Sequence, residues 1–151
     1  MHHQTAIIHP KAKIDEGVEV GPYCVIDEGV RIGSGTLLES HVILKGNTRL
    51  GKNNHLFQFS TVGDGSPDKK YQGEPTKLVI GDDNQIREGV TIHRGTVQEK
   101  GITKIGNRNL FLAYSHVAHD CEIEDDVVLT NQAALAGAVK VGSGAILAGY
   151  A

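Results

Sequence analysis

Residues 115 to 121 read SHVAHDC, two histidines three positions apart with Asp120 directly after the second. Imidazole is the side chain whose ordinary titration falls near neutral pH, so His116 and His119 suit a general base or a metal ligand. A carboxylate beside a histidine can orient the ring and stabilise its protonated form, which is what Asp120 offers His119. A third histidine, His93, stands in TIHRGT, just before a break in the sequence pattern. Three histidines gathered on neighbouring segments also suit zinc, so a zinc hydratase stays open beside acid–base chemistry. Surface histidines without a task are the third reading.

A repeat positions these residues. An aliphatic side chain recurs every six residues at Ile8, Ile14, Val20, Ile26, Ile32, Leu38, Leu44, Leu50, Leu56 and Val62, and again at Ile80, Ile86 and Ile92. One residue out of phase, the series continues through Ile105, Phe111, Val117, Ile123, Leu129, Leu135, Val141 and Leu147. Four positions after most of these anchors stands a small or β-branched residue, Cys24, Val42, Ser60, Ser115, Cys121 and Ala133 among them. Alternate residues of a strand point to opposite faces, so this unit describes a short strand followed by a corner. Three units close a triangular coil of about eighteen residues, which predicts a parallel β-helix of roughly eight coils. Glycines just after the anchor, at Gly21, Gly33, Gly51, Gly63, Gly81, Gly106 and Gly142, are expected to supply positive φ at the corners.

On this frame Val117 points inward, and His116 and His119 point outward. Adjacent strand residues diverge, so contact between His119 and Asp120 requires a corner there. Residues 64 to 77, DGSPDKKYQGEPTK, break the period with two prolines, two glycines and a cluster of charge, and residues 97 to 103, VQEKGIT, break it again. Loops leaving a rigid scaffold are where function concentrates, although the composition of Asp68, Lys69, Lys70 and Tyr71 alone reads as a solvated turn.

The bulk numbers restrict the function classes. A chain of 151 residues is read as one domain, 1–151. Fifteen basic against 18 acidic residues, net −3, argue against a nucleic-acid partner and against a polybasic membrane anchor. Two cysteines, Cys24 and Cys121, make no disulfide framework and suit a reduced, cytoplasmic chain. No run of 18 apolar residues predicts membrane insertion, and MHHQTAIIHPKAKIDEG lacks the apolar core of a signal peptide. With 19 glycines, no tryptophan and no sustained helical spacing, helix is expected to be scarce. A stack this narrow exposes flat faces, along which self-association is expected.

Four stretches together carry a resemblance: IHPKAKIDEGVEVGPYCVI, GSPDKKYQGEPTKLVIGDDNQIREGVTIHRGTVQ, IGNRNLFLAYSHVAHDC and LTNQAALAG. They resemble the cytosolic UDP-N-acetylglucosamine O-acyltransferases that begin lipid A synthesis, with EGVTIHRGTVQ and SHVAHDC the most specific parts. The resemblance implies a left-handed parallel β-helix and a homotrimer, active in the cytoplasm. It implies transfer of a 3-hydroxyacyl group from acyl carrier protein to the sugar 3-hydroxyl of UDP-N-acetylglucosamine, without a covalent intermediate and without a metal or other cofactor. In those terms His119 is the general base, Asp120 stands behind it, and the Gly137 N–H meets the oxyanion. Asp68, Lys70, His93 and His116 then hold substrate. Ala138 stands where the family usually carries a further histidine. The resemblance also implies that the chain ends before the family's later coils, with the C-terminal helical domain absent. Another hexapeptide sugar acyltransferase and a non-catalytic β-helix scaffold are the alternatives.

Overall fold

Aliphatic anchors at six-residue spacing make strands and no helix. The computed structural model describes residues 1–151 as twenty-one short strands. One anchor and its outward neighbour suffice for each strand, because the next corner redirects the chain. The strands form three parallel sheets of seven. The first face holds Ile7–Ile8, Val25–Ile26, Ile43–Leu44, Thr61–Asp64, Thr91–His93, His116–Val117 and Ala134–Leu135. The second holds Lys13–Ile14, Arg31–Ile32, Asn47–Leu50, Lys77–Ile80, Ile102–Ile105, Glu122–Ile123 and Lys140–Val141. The third holds Glu19–Val20, Leu37–Leu38, His55–Leu56, Gln85–Ile86, Leu110–Phe111, Val128–Leu129 and Ile146–Leu147. The chain visits the faces in rotation, completing seven coils of a left-handed parallel β-helix. His2 bridges to Val20 and so begins one more coil at the N-terminal end.

Register places like residues above like. Ile26, Leu44, Val62, Ile92, Val117 and Leu135 climb the inside of the first face, and Leu38, Leu56, Ile86, Phe111 and Leu129 that of the third. With the positions four residues later, they form one core of 27 buried side chains that includes Cys24 and Cys121. Full burial of such an aliphatic or aromatic side chain contributes about 1.5–3 kcal/mol. At the ends of the stack Ile8, Ile14 and Leu147 are covered on one side only and stay half-buried.

The core is not wholly apolar. Asn54, Asn84 and Asn109 occupy the small-residue position and are buried. Asn54 donates to the Gly81 carbonyl at 2.9 Å and accepts from the Asn84 N–H at 2.9 Å. Asn84 in turn accepts from the Asn109 N–H, and Asn109 from the Val127 N–H at 2.8 Å. This asparagine ladder stitches the coils together at a corner where the backbone leaves its sheet pairing, and each bond removes the cost of a buried unpaired group.

The glycines after the anchors serve differently from the expectation. Of those seven, only Gly63 has positive φ. A Cβ on Gly33 would stand 2.5 Å from the Gly51 carbonyl oxygen, and one on Gly51 2.6 Å from that of Gly81, so these glycines permit close stacking of coils. Positive φ falls instead on other glycines, such as Gly17, Gly29 and Gly35, and on non-glycine residues such as Asn53, Asp83, Arg108, Asp120 and Asp126. The left-handed region costs a non-glycine residue about 1–2 kcal/mol. The N–H groups of Asn53, Asp83, Arg108 and Asp126 each donate to the preceding coil at 3.0 Å, which offsets that cost.

Both excursions leave from the first face and return to the second, as residues 65–76 and 94–101. The corner carrying His119 and Asp120 lies on that same edge of the prism. No helix is long and apolar enough to cross a membrane.

Candidate active site

The corner at His119 and Asp120 reverses the usual divergence of neighbours. Asp120 has φ of 61°, which swings its carboxylate back toward the preceding side chain, and His119 Nδ1 lies 2.8 Å from Asp120 Oδ2. The Asp120 N–H donates to Thr103 Oγ1 at 2.8 Å and holds the turn. Asp120 is fully buried, yet its carboxylate accepts from the Thr96 N–H, from Thr96 Oγ1 at 2.7 Å and from the Lys100 N–H at 3.1 Å, besides His119. Burial opposes its ionisation; the bonds from His119, Thr96 and Lys100 outweigh burial and hold the carboxyl below the usual carboxylate range. An ionised carboxylate only accepts, so the bonded Nδ1 carries a proton, and in the neutral ring the lone pair is on Nε2.

What surrounds Nε2 is spare. Asp68 Oδ2 lies 3.8 Å away, too far for a hydrogen bond. Gly137, one coil above, has no side chain, and a Cβ there would press on the imidazole. The Gly137 N–H makes no hydrogen bond within the chain. The ring is 18% exposed at this edge, open to a substrate yet shielded on most sides. Gly137→Ala is expected to push the ring off its position and to lower turnover more than tenfold, with the melting temperature little changed. Parallel turnover and melting measurements check this.

The first excursion is tied down above this edge. Ser66 Oγ accepts from the Asp68 N–H, and Asp68 Oδ1 from the Lys70 N–H at 2.9 Å. Lys70 is exposed and its ammonium has no ion pair; its carbonyl accepts from Gln98 of the second excursion at 3.0 Å. Arg94 reaches Tyr71 Oη at 2.8 Å, so the two excursions are clasped together. The solvated-turn reading of residues 68–71 therefore fails at Tyr71, which also donates to the Glu74 carbonyl at 2.6 Å.

His93 and His116 stand side by side on the first face, ring centroids 4.9 Å apart and edge to face. His116 Nδ1 meets Thr91 Oγ1 at 2.7 Å, whereas the buried Nδ1 of His93 has no partner. Burial, and then the neighbouring His116, lowers the pKa of His93; burial likewise lowers that of His116. Both rings are thus neutral hydrogen-bonding groups at neutral pH. No three His, Cys, Asp or Glu side chains converge to hold a metal ion.

These shifts predict an acid-labile fold. The unfolded chain protonates both imidazoles near the ordinary 6.5, before the folded chain does, so their stability contribution is complete above that value and declines below it. Asp120, shifted downward, adds a separate loss once the pH falls through 3.8 and below. The melting temperature is expected to fall as the pH drops below 6.5. His93→Gln is expected to flatten that fall; an unchanged slope in the variant contradicts the assignment to His93.

The structure thus brings His119, Asp120, Gly137 and Asp68 together, with His93 and His116 on the adjoining face and Lys70 contributing its backbone. Sequence reasoning missed Thr96, Thr103 and Arg94. Thr96 and Arg94 stand in the quoted HRGT, but their partners are set by how the excursion folds back.

The fold and site define a hexapeptide-type β-helix protein with a histidine–aspartate pair at one edge. The family model described as the GMPPB C-terminal domain matches residues 2–104. An acyl-[acyl-carrier-protein]–UDP-N-acetylglucosamine O-acyltransferase of Saccharophagus degradans is 59% identical over 132 residues, 87% of this chain and 51% of that protein. One of Stutzerimonas stutzeri is 56% identical over 145 residues, 96% of this chain and 56% of that protein. The crystal structure of UDP-N-acetylglucosamine O-acyltransferase from Moraxella catarrhalis superposes with a TM-score of 0.97 at 48% identity, over 98% of this chain and 58% of that one. The chain belongs to the family that the matching model describes, and it is similar to the acyl-[acyl-carrier-protein]–UDP-N-acetylglucosamine O-acyltransferases. It spans about half the length of the curated relatives it matches.

Proposed function

We propose that the protein transfers a 3-hydroxyacyl group from acyl carrier protein to the 3-hydroxyl of UDP-N-acetylglucosamine, the first step of lipid A synthesis, with His119 as general base. The observation that carries this reading is the free Nε2 of His119, set beside Gly137 by a hydrogen bond from Nδ1 to an ionised, buried Asp120. The relatives' names supply the donor and acceptor. Nε2 takes the proton from the sugar hydroxyl as its oxygen attacks the thioester carbonyl. Negative charge moves to the carbonyl oxygen, where the Gly137 N–H donates to it; such a donor is worth about 2.7–4 kcal/mol in the transition state. Collapse forms the ester, breaks the carbon–sulfur bond and returns the proton from the imidazolium to the departing thiolate. No covalent acyl-enzyme forms, and no step requires a metal or other cofactor.

Asp68 and Lys70, on the clasped excursion, and the neutral pair His93 and His116 on the adjoining face are assigned to the sugar nucleotide. Residues 1–151 act as one β-helical unit in a homotrimer, in the cytoplasm and without membrane insertion. The outward positions of the first face, Val25, Ile43, Thr61 and Thr91, carry no charge and suit packing against another subunit.

A donor exchange tests the reading. The 3-hydroxyacyl carrier protein is expected to acylate UDP-N-acetylglucosamine, and acetyl-CoA is expected to give little product. Preference for acetyl-CoA, or for another sugar nucleotide, places the chain among other hexapeptide acyltransferases. No transfer from any donor, together with unchanged substrate binding in His119→Ala, supports a scaffold.

A further inference from the structure

The outward positions of the second face are strongly charged, and the charge is divided unevenly along the stack. In the later coils Lys140 and Lys100 both pair with Glu122, the latter at 2.9 Å. In the early coils Lys13, Arg31 and Arg49 lie directly above one another in register, all exposed, and none makes an ion pair. Like charges directly opposite on neighbouring strands are destabilising, so three consecutive cations with no carboxylate among them form an unsatisfied array. This array sits on a chain whose net charge is −3.

The array lines a recess of about 280 Å³ where the second face turns toward the third. Gly33 and Gly51 lie on its floor. They carry no side chain because a Cβ would run into the next coil's backbone. Lys52 adds a fourth cation at the rim. The recess has two carboxylates, Asp15 and Asp82. Asp82 is engaged, accepting from the Lys52 N–H at 2.7 Å. Four cations against two carboxylates leave a formal excess of two positive charges, which a compact dianion balances.

We propose that this recess binds a phosphate-bearing small molecule, held between the guanidinium groups of Arg31 and Arg49. Two guanidinium forks on neighbouring strands match phosphate oxygens in a way that ammonium groups do not. The carboxylates in the recess disfavour a long acidic segment. The recess lies on the edge between the second and third faces, whereas His119 lies on the edge between the first and second. It is therefore separate from the candidate active site.

Titration of the protein with inorganic pyrophosphate, followed by calorimetry and by the amide signals of Gly33 and Gly51, tests this. Saturable binding at one site per chain is expected, with both glycine signals shifting. Arg31→Ala and Arg49→Ala are each expected to weaken binding at least about tenfold, the scale of a lost charge-assisted hydrogen bond. Lys70→Ala at the candidate active site and Lys140→Ala on the same face are expected to leave it unchanged. Citrate, an anion without phosphate, is expected to bind far more weakly. Absence of saturation, equal binding of citrate, or a loss that follows Lys70 or Lys140 instead of the two arginines overturns the proposal. Both arginines are exposed, so loss of folding does not obscure the result.

Discussion

Ile86→Asp is expected to abolish the cooperative thermal transition and the β-sheet circular dichroism signal. Ile86 is completely buried between Leu56 below and Phe111 above, on the inner side of the third face. The interior at that level is filled by Leu50, Ile80, Val62 and Ile92 from the other two faces, and none of them offers a hydrogen bond. A lone carboxylate there loses its hydration without gaining a partner, and protonating it to escape the charge still leaves a buried carboxylic acid. The lost apolar burial adds to this, for a combined cost of at least about 4 kcal/mol, a large part of the 5–15 kcal/mol that holds an ordinary domain folded. Leu135→Asp, in the first-face ladder above Val117, is expected to behave in the same way. Gln85→Asp, one residue from Ile86 but exposed on the same strand, is expected to leave melting nearly unchanged. A native melting curve for Ile86→Asp contradicts the inward assignment of the anchors.

His119→Ala is expected to lower acyl transfer by about 10²–10⁴, the range that removing a general base reaches. That corresponds to about 2.7–5.5 kcal/mol of lost transition-state stabilisation. The effect comes from chemistry and not from folding, since the ring projects outward at a corner and the turn is held by the Asp120 N–H on Thr103 and by the clasp of Thr96 and Lys100 on the carboxylate. Removing the ring leaves Asp120 three of its four donor groups. Turnover and melting measured on the same preparation separate the two effects. Near-full turnover in the variant removes His119 from the base role.

The pattern of anchors was readable because the repeat writes one coil over another: every aliphatic from Val20 to Leu135 in the six-residue series lies inside the prism. The outward course of His116 and His119, and the corner needed to join His119 to Asp120, followed from the same count. What holds that corner did not. Thr96 and Lys100 meet Asp120 across more than a full coil of sequence, through an excursion that has no period, and Arg94 meets Tyr71 between two such excursions. No spacing rule encodes contacts between irregular segments. The glycines were misread for a related reason. Glycine after an anchor signals either positive φ or a close neighbouring backbone, and only the stacking of coils distinguishes the two. Asparagine at a small-residue position is likewise ambiguous until the coil above supplies the N–H that its side chain accepts.

The central claim is that His119, oriented by Asp120, transfers a proton in acyl transfer to a sugar nucleotide. The most direct measurement is turnover of 3-hydroxyacyl carrier protein and UDP-N-acetylglucosamine by the protein and by His119→Ala, both shown to be folded. The account predicts an O-acylated sugar nucleotide from the first and a loss of at least about a hundredfold in the second. Equal turnover by the two folded proteins would contradict it.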